Sequence, residues 1–175
     1  VDATGCDAPP DAWRDVGVGE TGEIVVRGPI AMLGYWERPE ETAATLRDGW
    51  VRTGDLARLD DEGFVTLVGR AREMFISGGE NVYPAEVEAV LGEHPAVREI
   101  AVVGAPDPIW GEAGHAVAAL ESGASLTLEE LLAWAADRLA KFKWPRSLEI
   151  VPELPRTASG KVQKHRLGPR TAGGD

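Results

Sequence analysis

The sequence predicts an α+β chain with a β-rich first part and a mixed α/β second part. Up to about Gly69, short apolar runs alternate with turns rich in Asp and Gly. After Arg70 the pattern becomes strand, helix, strand, strand, helix, strand. The 175 residues suffice for one domain or two small ones, and 43% apolar with 27% charged residues is typical of a globular protein.

The first part contains three strand signals and one helix signal. The run EIVVR at 23–27 has the β-branched residues that favour a strand. Residues 39–47 begin with proline, which suits the first turn of a helix. Strands over 55–59 and 64–68 are predicted to form a hairpin, because Gly63 in the intervening turn can adopt a positive φ.

The second part contains six elements separated by short turns. Its second helix has the clearest signal, because Thr127 and Glu130 form a capping box ahead of an apolar stripe that continues to Leu139. In order, the elements are a strand over 73–77, a helix from Pro84, strands over 100–103 and 115–120, the helix after Thr127, and a strand over 148–151.

The charge of the chain is distributed unevenly. The net charge is −11, yet residues 1–137 contain 26 acidic and nine basic residues whereas residues 138–175 contain three and nine. The overall charge argues against nucleic-acid binding. The basic end is open to two interpretations: a surface that pairs with the acidic remainder, or a site for a polyphosphate ligand.

Several classes of protein are excluded by simple features. No apolar window is long enough for a membrane span, and the acidic N-terminal residues are unlike a secretion signal. A single Cys6 cannot form an internal disulfide, and three isolated histidines give no metal-ligand spacing. We therefore expect a cytoplasmic location, no integral membrane segment and no metal ligands in this chain.

Four segments could carry chemistry, and each also has a plain structural explanation. Asp55, after a flexible glycine, could bind a diol or simply occupy a turn. Arg70 and Arg72 could serve a hinge or end a strand. The Gly78–Gly79 pair could admit a ligand or form a tight turn. The segment around Lys161 lacks the first glycine and the hydroxyl residue of a phosphate-binding P-loop. What remains is a lysine on a flexible, glycine-hinged loop.

The order and spacing of these segments resemble one enzyme family over more than four fifths of the chain. The chain is similar to the C-terminal part of AMP-forming acyl-CoA synthetases, in the adenylate-forming superfamily that includes firefly luciferase. The matching stretches are GETGEIVVRGP (19–29), LGYWERPEETA (33–43), DGWVRTGDLARLDDEGFVTLVGR (48–70), EMFISGGENVYPAEVEAVL (73–91), VVGAPDPIWGE (102–112) and LAKFKWPRSLEIVPELPRTASGKV (139–162).

This resemblance implies roles for eight residues. In the family, the aspartate of the TGD motif holds ribose hydroxyls, the arginine of the following Gly-Arg pair contacts the nucleotide, and a loop lysine reaches the acyl carboxylate and α-phosphate. Paired glycines line the pantetheine passage, and basic residues contact the phosphates of coenzyme A. The residues at these positions are Asp55, Arg70, Lys161, Gly78, Gly79, Lys141 and Lys143, with Arg72 at the hinge, where the family usually has Lys or Asp.

The resemblance also implies a division of the chain. Residues 1–69 are expected to be a residual β-rich subdomain of the large domain, 70–72 a hinge, 73–167 a mobile C-terminal lid domain, and 168–175 a tail. No stretch matches the phosphate loop, magnesium ligands or acyl pocket of the large N-terminal domain. The chain is thus expected to be about the last third of an enzyme and to be inactive alone.

The implied activity is a two-step ligase reaction. A carboxylic acid, expected to be a fatty acid, reacts with ATP to give acyl-AMP, and coenzyme A then displaces AMP. The expected cofactors are ATP or AMP, CoA, and Mg²⁺ bound by the N-terminal domain, which is the expected protein partner. Two alternatives remain open: an adenylation domain that loads a phosphopantetheine carrier protein, and a non-catalytic fragment that binds nucleotide or CoA.

Overall fold

The computed structural model describes residues 1–2 and 8–168, so Cys6 and residues 169–175 of the expected tail lie outside the described residues. The chain separates into two compact units, Val1–Arg72 and Glu73–Asp175. The predicted hinge at 70–72 falls at this division, and its role as a hinge stays a prediction.

The described residues contain nine strands and three α-helices, which confirm the predicted α+β class. The strands are β1 (Thr21–Arg27), β2 (Leu46–Arg47), β3 (Trp50–Leu59), β4 (Val65–Arg70), β5 (Phe75–Ser77), β6 (Glu80–Val82), β7 (Val97–Asp107), β8 (Gly111–Leu120) and β9 (Pro145–Ile150). The helices are α1 (Pro39–Thr45), α2 (Pro84–Leu91) and α3 (Leu128–Ala135), and short 3₁₀ turns include Ala71–Glu73, Lys141–Lys143 and Lys164–Arg166. No helix among the described residues is long and apolar enough to cross a bilayer.

The first unit is a four-stranded antiparallel sheet organised around β3. This strand pairs with β1, β2 and β4, and a register shift between Leu56 and Ala57 interrupts its pairing with β4. Leu56 and Ala57 are the buried apolar residues described in this unit, whereas Leu33 and Trp36 are 99% and 88% exposed. The predicted hairpin is present, with both strands longer than expected.

The second unit is a five-stranded sheet with a substantial core. Strand β8 pairs antiparallel with β5 and β7 and parallel with β9, and its residues 113–119 are all buried. Helices α2 and α3 cover the sheet with apolar faces that include Val87, Leu91, Leu131 and Ala135. The predicted capping box at Thr127 and Glu130 begins α3.

Two details of the second unit differ from the sequence prediction. Strand β6 is an additional element, because Gly78 and Gly79 both have positive φ, 60° and 88°, and turn the chain back onto β5. Helix α3 ends at Ala135 rather than near Leu139. The next residues make tighter hydrogen bonds over three positions, and Leu139 is still buried there.

Candidate functional site

Asp55 and Arg70 lie opposite each other on the paired strands β3 and β4. The Arg70 guanidinium donates through Nε to Asp55 Oδ1 at 2.7 Å, and the two side chains are 45% and 31% exposed. Gly54, with φ of 72°, turns the backbone immediately before Asp55. The structure therefore brings together the two residues predicted to bind the nucleotide. The Asp55 carboxylate can accept hydrogen bonds from a diol, and the Arg70 guanidinium beside it can donate hydrogen bonds to a phosphate.

Glu23 supports this turn from inside the sheet and was not among the residues predicted for the site. Its side chain is 1% exposed. It accepts hydrogen bonds from Arg52 Nη2 at 2.9 Å and from the backbone N–H of Gly54 at 3.1 Å. A glutamate within the β-branched run EIVVR is the sequence signal for such a role, because a charge buried in a strand requires a partner.

Thr53 ties the same turn to the neighbouring strand. Its hydroxyl donates to the Ile24 carbonyl on β1 at 2.8 Å and accepts from the backbone N–H of Asp55 at 3.0 Å. The backbone before and after Gly54 is thus fixed by side chains on both sides, which orients Asp55.

Arg72 belongs to the 3₁₀ turn Ala71–Glu73, where the two units divide, and its side chain is exposed. Glu73, the next residue, accepts from Lys164 Nζ at 2.8 Å. The residue after the predicted pivot is therefore anchored within the second unit.

Gly78 and Gly79 form the tight two-residue turn of the β5–β6 hairpin, which was one of the two interpretations that the sequence left open. A Cβ on Gly78 would lie 2.4 Å from the Trp110 ring, and the Gly78 N–H donates to the Trp110 carbonyl at 3.0 Å. The backbone N–H groups of Trp110 and Ile109 donate to Asp107, and these bonds hold the pKa of Asp107 below its usual value. Close contact with an ordered indole explains why only glycine fits at 78.

Lys141 and Lys143 lie on a 3₁₀ turn that contacts β6, the strand that follows the paired glycines. Lys141 is exposed and makes no ion pair within the described part of the chain. Lys143 Nζ forms an ion pair with Glu86 at 2.5 Å. Of these two cations predicted to contact CoA phosphates, Lys141 is therefore the more accessible.

Lys161 lies in a closed hairpin turn after Gly160, whose φ is 86°, and the predicted flexibility of this loop stays a prediction. The Gly160 N–H donates to the Thr157 carbonyl at 2.9 Å, and the Thr157 N–H donates to the Lys161 carbonyl at 2.8 Å. The Lys161 N–H donates to Thr157 Oγ1 at 3.1 Å. The Lys161 side chain is exposed, and no ion pair in the described ranges involves it. A turn closed by hydrogen bonds thus presents an available ammonium group.

Two further cations close to Lys161 are engaged with carboxylates and were not predicted for the site. Arg156 pairs with Glu99 at 2.9 Å, and Lys164 pairs with Glu73 and Glu88 at 2.8 and 2.7 Å. Burial alone would lower the pKa of Lys164, but the hydrogen bonds and charges of the two carboxylates outweigh it, so this pKa lies above its ordinary value of 10.5. Three of the nine basic residues in 138–175, namely Lys143, Arg156 and Lys164, thus form ion pairs within the described part of the second unit.

The two groups of predicted residues lie in separate units. Asp55 and Arg70 belong to the first, and the paired glycines and Lys161 belong to the second. Among the described residues, no group of three or more His, Cys, Asp or Glu side chains could hold a metal ion.

Comparison with known proteins gives a consistent result. Residues 86–161 match the family model of the AMP-binding enzyme C-terminal domain. Feruloyl-CoA synthase from Amycolatopsis sp is 53% identical over 146 residues, which are 83% of this chain and 30% of that protein. The long-chain-fatty-acid–CoA ligase of Bacillus subtilis is 51% identical over 148 residues, 85% of this chain and 26% of that protein. The chain thus spans less than a third of the length of these curated relatives.

Solved structures agree with the sequence relatives. The o-succinylbenzoate CoA synthetase of Bacillus subtilis, in complex with its acyl-adenylate intermediate, matches with a TM-score of 0.81 and 43% identity over 89% of this chain and 32% of that one. The same enzyme in complex with ATP and a magnesium ion matches with a TM-score of 0.80 and 42% identity over 88% and 32% of the two chains. Residues 86–161 therefore belong to the family of AMP-binding enzyme C-terminal domains, and most of the chain is similar to the C-terminal portion of adenylate-forming CoA ligases.

Proposed function

We propose that this chain is part of an AMP-forming acid–thiol ligase, which activates a carboxylic acid with ATP and transfers the acyl group to coenzyme A. The proposal is supported by the 53% identity to feruloyl-CoA synthase over 83% of this chain. The observation that carries it is the Asp55–Arg70 pair, because a partly exposed carboxylate and guanidinium at 2.7 Å are suited to the ribose and phosphate of one nucleotide.

The first step forms the acyl adenylate. A carboxylate oxygen of the acid attacks the α-phosphorus of ATP, a new P–O bond forms, and the bond to pyrophosphate breaks. Negative charge is spread over the phosphate oxygens in the transition state, where a positioned ammonium group is stabilising. We assign this role to Lys161, whose exposed side chain stands on a turn closed by hydrogen bonds.

The second step transfers the acyl group. The thiolate sulfur of CoA attacks the acyl carbonyl carbon, a thioester forms, and AMP leaves with the electron pair of the broken C–O bond. We propose that Gly78 and Gly79 line the pantetheine passage, since their turn presents backbone without side chains. Lys141 and Lys143 are proposed to contact CoA phosphates, with Lys143 giving up its pair with Glu86. Arg72 is proposed as the hinge residue between the two arrangements.

Several features of the complete reaction are proposed to lie outside this chain. These are the magnesium ligands, the acyl pocket and the large N-terminal domain that would be the protein partner. The similarity does not favour one acid class, because relatives named for ferulate, a long-chain fatty acid and indoleacetate are 53%, 51% and 49% identical. The proposal is therefore a carboxylic acid of unassigned class.

Pyrophosphate exchange on the whole protein tests this function. We expect acid-dependent incorporation of labelled pyrophosphate into ATP with at least one member of a panel of aromatic, aryl-acetic and long-chain acids. Adding CoA should then release AMP and an acyl-CoA. Transfer to a phosphopantetheine carrier protein but not to CoA would establish the alternative acceptor, and a lack of exchange with every acid would contradict the proposal.

A further inference from the structure

We propose that Arg156 and Lys164 are positioning residues that hold Lys161 in place by binding carboxylates of their own unit. They would then not be ligands of a polyphosphate, although they belong to the same basic segment of the sequence. This inference rests on the proposed function, because it assumes that the Lys161 ammonium acts in adenylation.

Arg156 clamps the N-terminal side of the Lys161 turn. Its Nη1 donates to the Gly160 carbonyl at 2.6 Å, and its Nη2 pairs with Glu99 Oε1 at 2.9 Å. Glu99 lies on β7, which belongs to the central sheet of the second unit. The guanidinium therefore joins the residue before Lys161 to the sheet and uses two of its three nitrogens to do so.

Lys164 holds the C-terminal side of the same turn. Its ammonium lies 2.8 Å from Glu73 Oε2 and 2.7 Å from Glu88 Oε1, and its side chain is only 19% exposed. Glu88 Oε1 also accepts from the Val102 N–H of β7 at 2.7 Å. Two carboxylates from different parts of the unit thus compensate this lysine, which leaves it little capacity for a phosphate.

The backbone between these two cations forms a short antiparallel ladder. Arg156 and Val162 are bridged, and the Gln163 N–H donates to the Pro155 carbonyl at 2.8 Å. Lys161 stands within this ladder, five residues after one anchor and three before the other. Displacing the backbone at Arg156 or at Lys164 therefore moves the Lys161 Cα. Misplacing a catalytic group by about 1 Å can slow a reaction by roughly 10²-fold.

Removing the acidic partner distinguishes positioning from direct phosphate binding. If Arg156 binds phosphate, neutralising Glu99 frees the guanidinium and strengthens ATP binding. If Arg156 positions Lys161 through Glu99, neutralising Glu99 weakens the anchor in the same direction as removing Arg156. The two interpretations therefore predict opposite effects for Glu99→Gln.

The kinetic experiment uses the whole protein and separates the two half-reactions. We expect Arg156→Ala and Glu99→Gln each to lower kcat of adenylation about 10-fold while the KM for ATP changes less than about twofold. The double variant should be no slower than the slower single variant, since both substitutions remove one linkage. Thioester formation from a supplied acyl adenylate should be unchanged. An increase of about 10-fold in the KM for ATP with Arg156→Ala, but not with Glu99→Gln, would overturn the proposal.

The same comparison applies to Lys164. Lys164→Met removes the charge, and Lys164→Arg keeps a cation that can reach two carboxylates. We expect kcat of adenylation to fall in the first variant and to be partly restored in the second, with the KM for ATP little changed in both. Arg166→Ala is the matched control, because this exposed arginine of the same segment bonds to Gln163 Oε1. An effect of Arg166→Ala as large as that of Lys164→Met would contradict a specific positioning role.

Hydrogen exchange provides a readout that does not depend on activity. The backbone amides of Gly160 and Lys161 donate within the turn, so they should exchange several-fold faster in Arg156→Ala and Glu99→Gln. Unchanged exchange at both amides would overturn the anchoring. If the wild-type protein forms no acyl adenylate with any acid, the proposed function fails, and the exchange rates then decide the anchoring by themselves.

Discussion

The turns that carry Asp55 and Lys161 have the same design but differ in burial. Each contains a glycine with positive φ, 72° at Gly54 and 86° at Gly160. Each is also held by a glutamate–arginine pair. Glu23 and Arg52 are 1% and 21% exposed at the Asp55 turn, whereas Glu99 and Arg156 are 36% and 42% exposed at the Lys161 turn.

This difference indicates how stiffly each turn is held. An ion pair in which the glutamate is 1% exposed exchanges its partners for water less readily, so we expect the Asp55 turn to keep its geometry. A half-exposed pair is weaker and screened by salt, so the Lys161 turn can yield. The proposed reaction needs the nucleotide in both steps but the ammonium only in the first, which suits a fixed aspartate and a displaceable lysine.

The largest expected effect is on stability, and it compares the two glutamates directly. Glu23→Ala removes a carboxylate that is 1% exposed and accepts from both Arg52 and the Gly54 N–H, and it should lower the free energy of unfolding by about 3–5 kcal/mol. Glu99→Ala should cost roughly 0–1 kcal/mol, because its pair is partly solvated. Urea titrations of the two variants measure the difference. Equal costs would show that burial does not separate the turns.

The next effect is on the two half-reactions. Lys161→Ala in the whole protein should slow adenylation by about 10²–10³-fold, as the loss of one preorganised charge-stabilising donor typically does. Thioester formation from a supplied adenylate should change far less. Asp55→Asn should impair both half-reactions, because the nucleotide is bound in each. If Lys161→Ala impaired both half-reactions equally, the role assigned to this lysine would be refuted.

Glycine substitutions test whether the two turns share one backbone requirement. Alanine at 54 or 160 has open space around its Cβ, so each change should cost only the left-handed conformation, about 1–2 kcal/mol. Gly78→Ala is the contrasting variant, since its Cβ also meets the Trp110 ring at 2.4 Å, and overpacking should add roughly 1–3 kcal/mol. Thermal unfolding measures all three. A Gly54→Ala cost above that of Gly78→Ala would contradict this explanation.

The sequence predicted the elements of this fold better than the supports of its site. The α+β class, the hairpin around Gly63 and the capping box of α3 follow from local periodicity and turn chemistry. Strand β6 was missed because three residues after a glycine pair carry no periodic signal. The apolar stripe predicted a helix that continued to Leu139, but α3 ends at Ala135. Leu139 is buried all the same, because burial does not require a helical backbone.

The contact between Asp55 and Arg70 could be expected from the sequence, because their motifs lie at the start of one strand of the predicted hairpin and directly after the other. The partners of Arg156 and Lys164 could not be predicted in this way. Glu99 lies 57 positions before Arg156, and Glu73 lies 91 positions before Lys164. Only tertiary packing joins residues so far apart, and for that reason the sequence could not show which cations of the basic segment are paired internally.

Salt should weaken one turn and leave the other unchanged. Raising ionic strength from about 0.1 to 1 M shortens the Debye length from about 10 to 3 Å and screens the exposed Glu99–Arg156 pair more than the buried one. We expect the Lys161 amide to exchange a few-fold faster at high salt. The Asp55 amide, which donates to Thr53 Oγ1, is the internal control and should be unaffected. Similar acceleration of both amides would mean that burial does not protect the Asp55 turn.

The smallest effect concerns pH and the second anchor of the Lys161 turn. Burial opposes the charged form of Lys164, but Glu73 and Glu88 outweigh this and raise its pKa above the ordinary 10.5. A raised pKa in the folded protein means that the ion pairs contribute their full stability below pH 10.5, and that this contribution disappears as pH rises through the higher folded value. The difference in unfolding free energy between wild type and Lys164→Met should therefore be constant from pH 8 to 10 and shrink above it. A difference that grew with pH would require a lowered pKa, and Lys164 would then be a strained cation rather than an anchor.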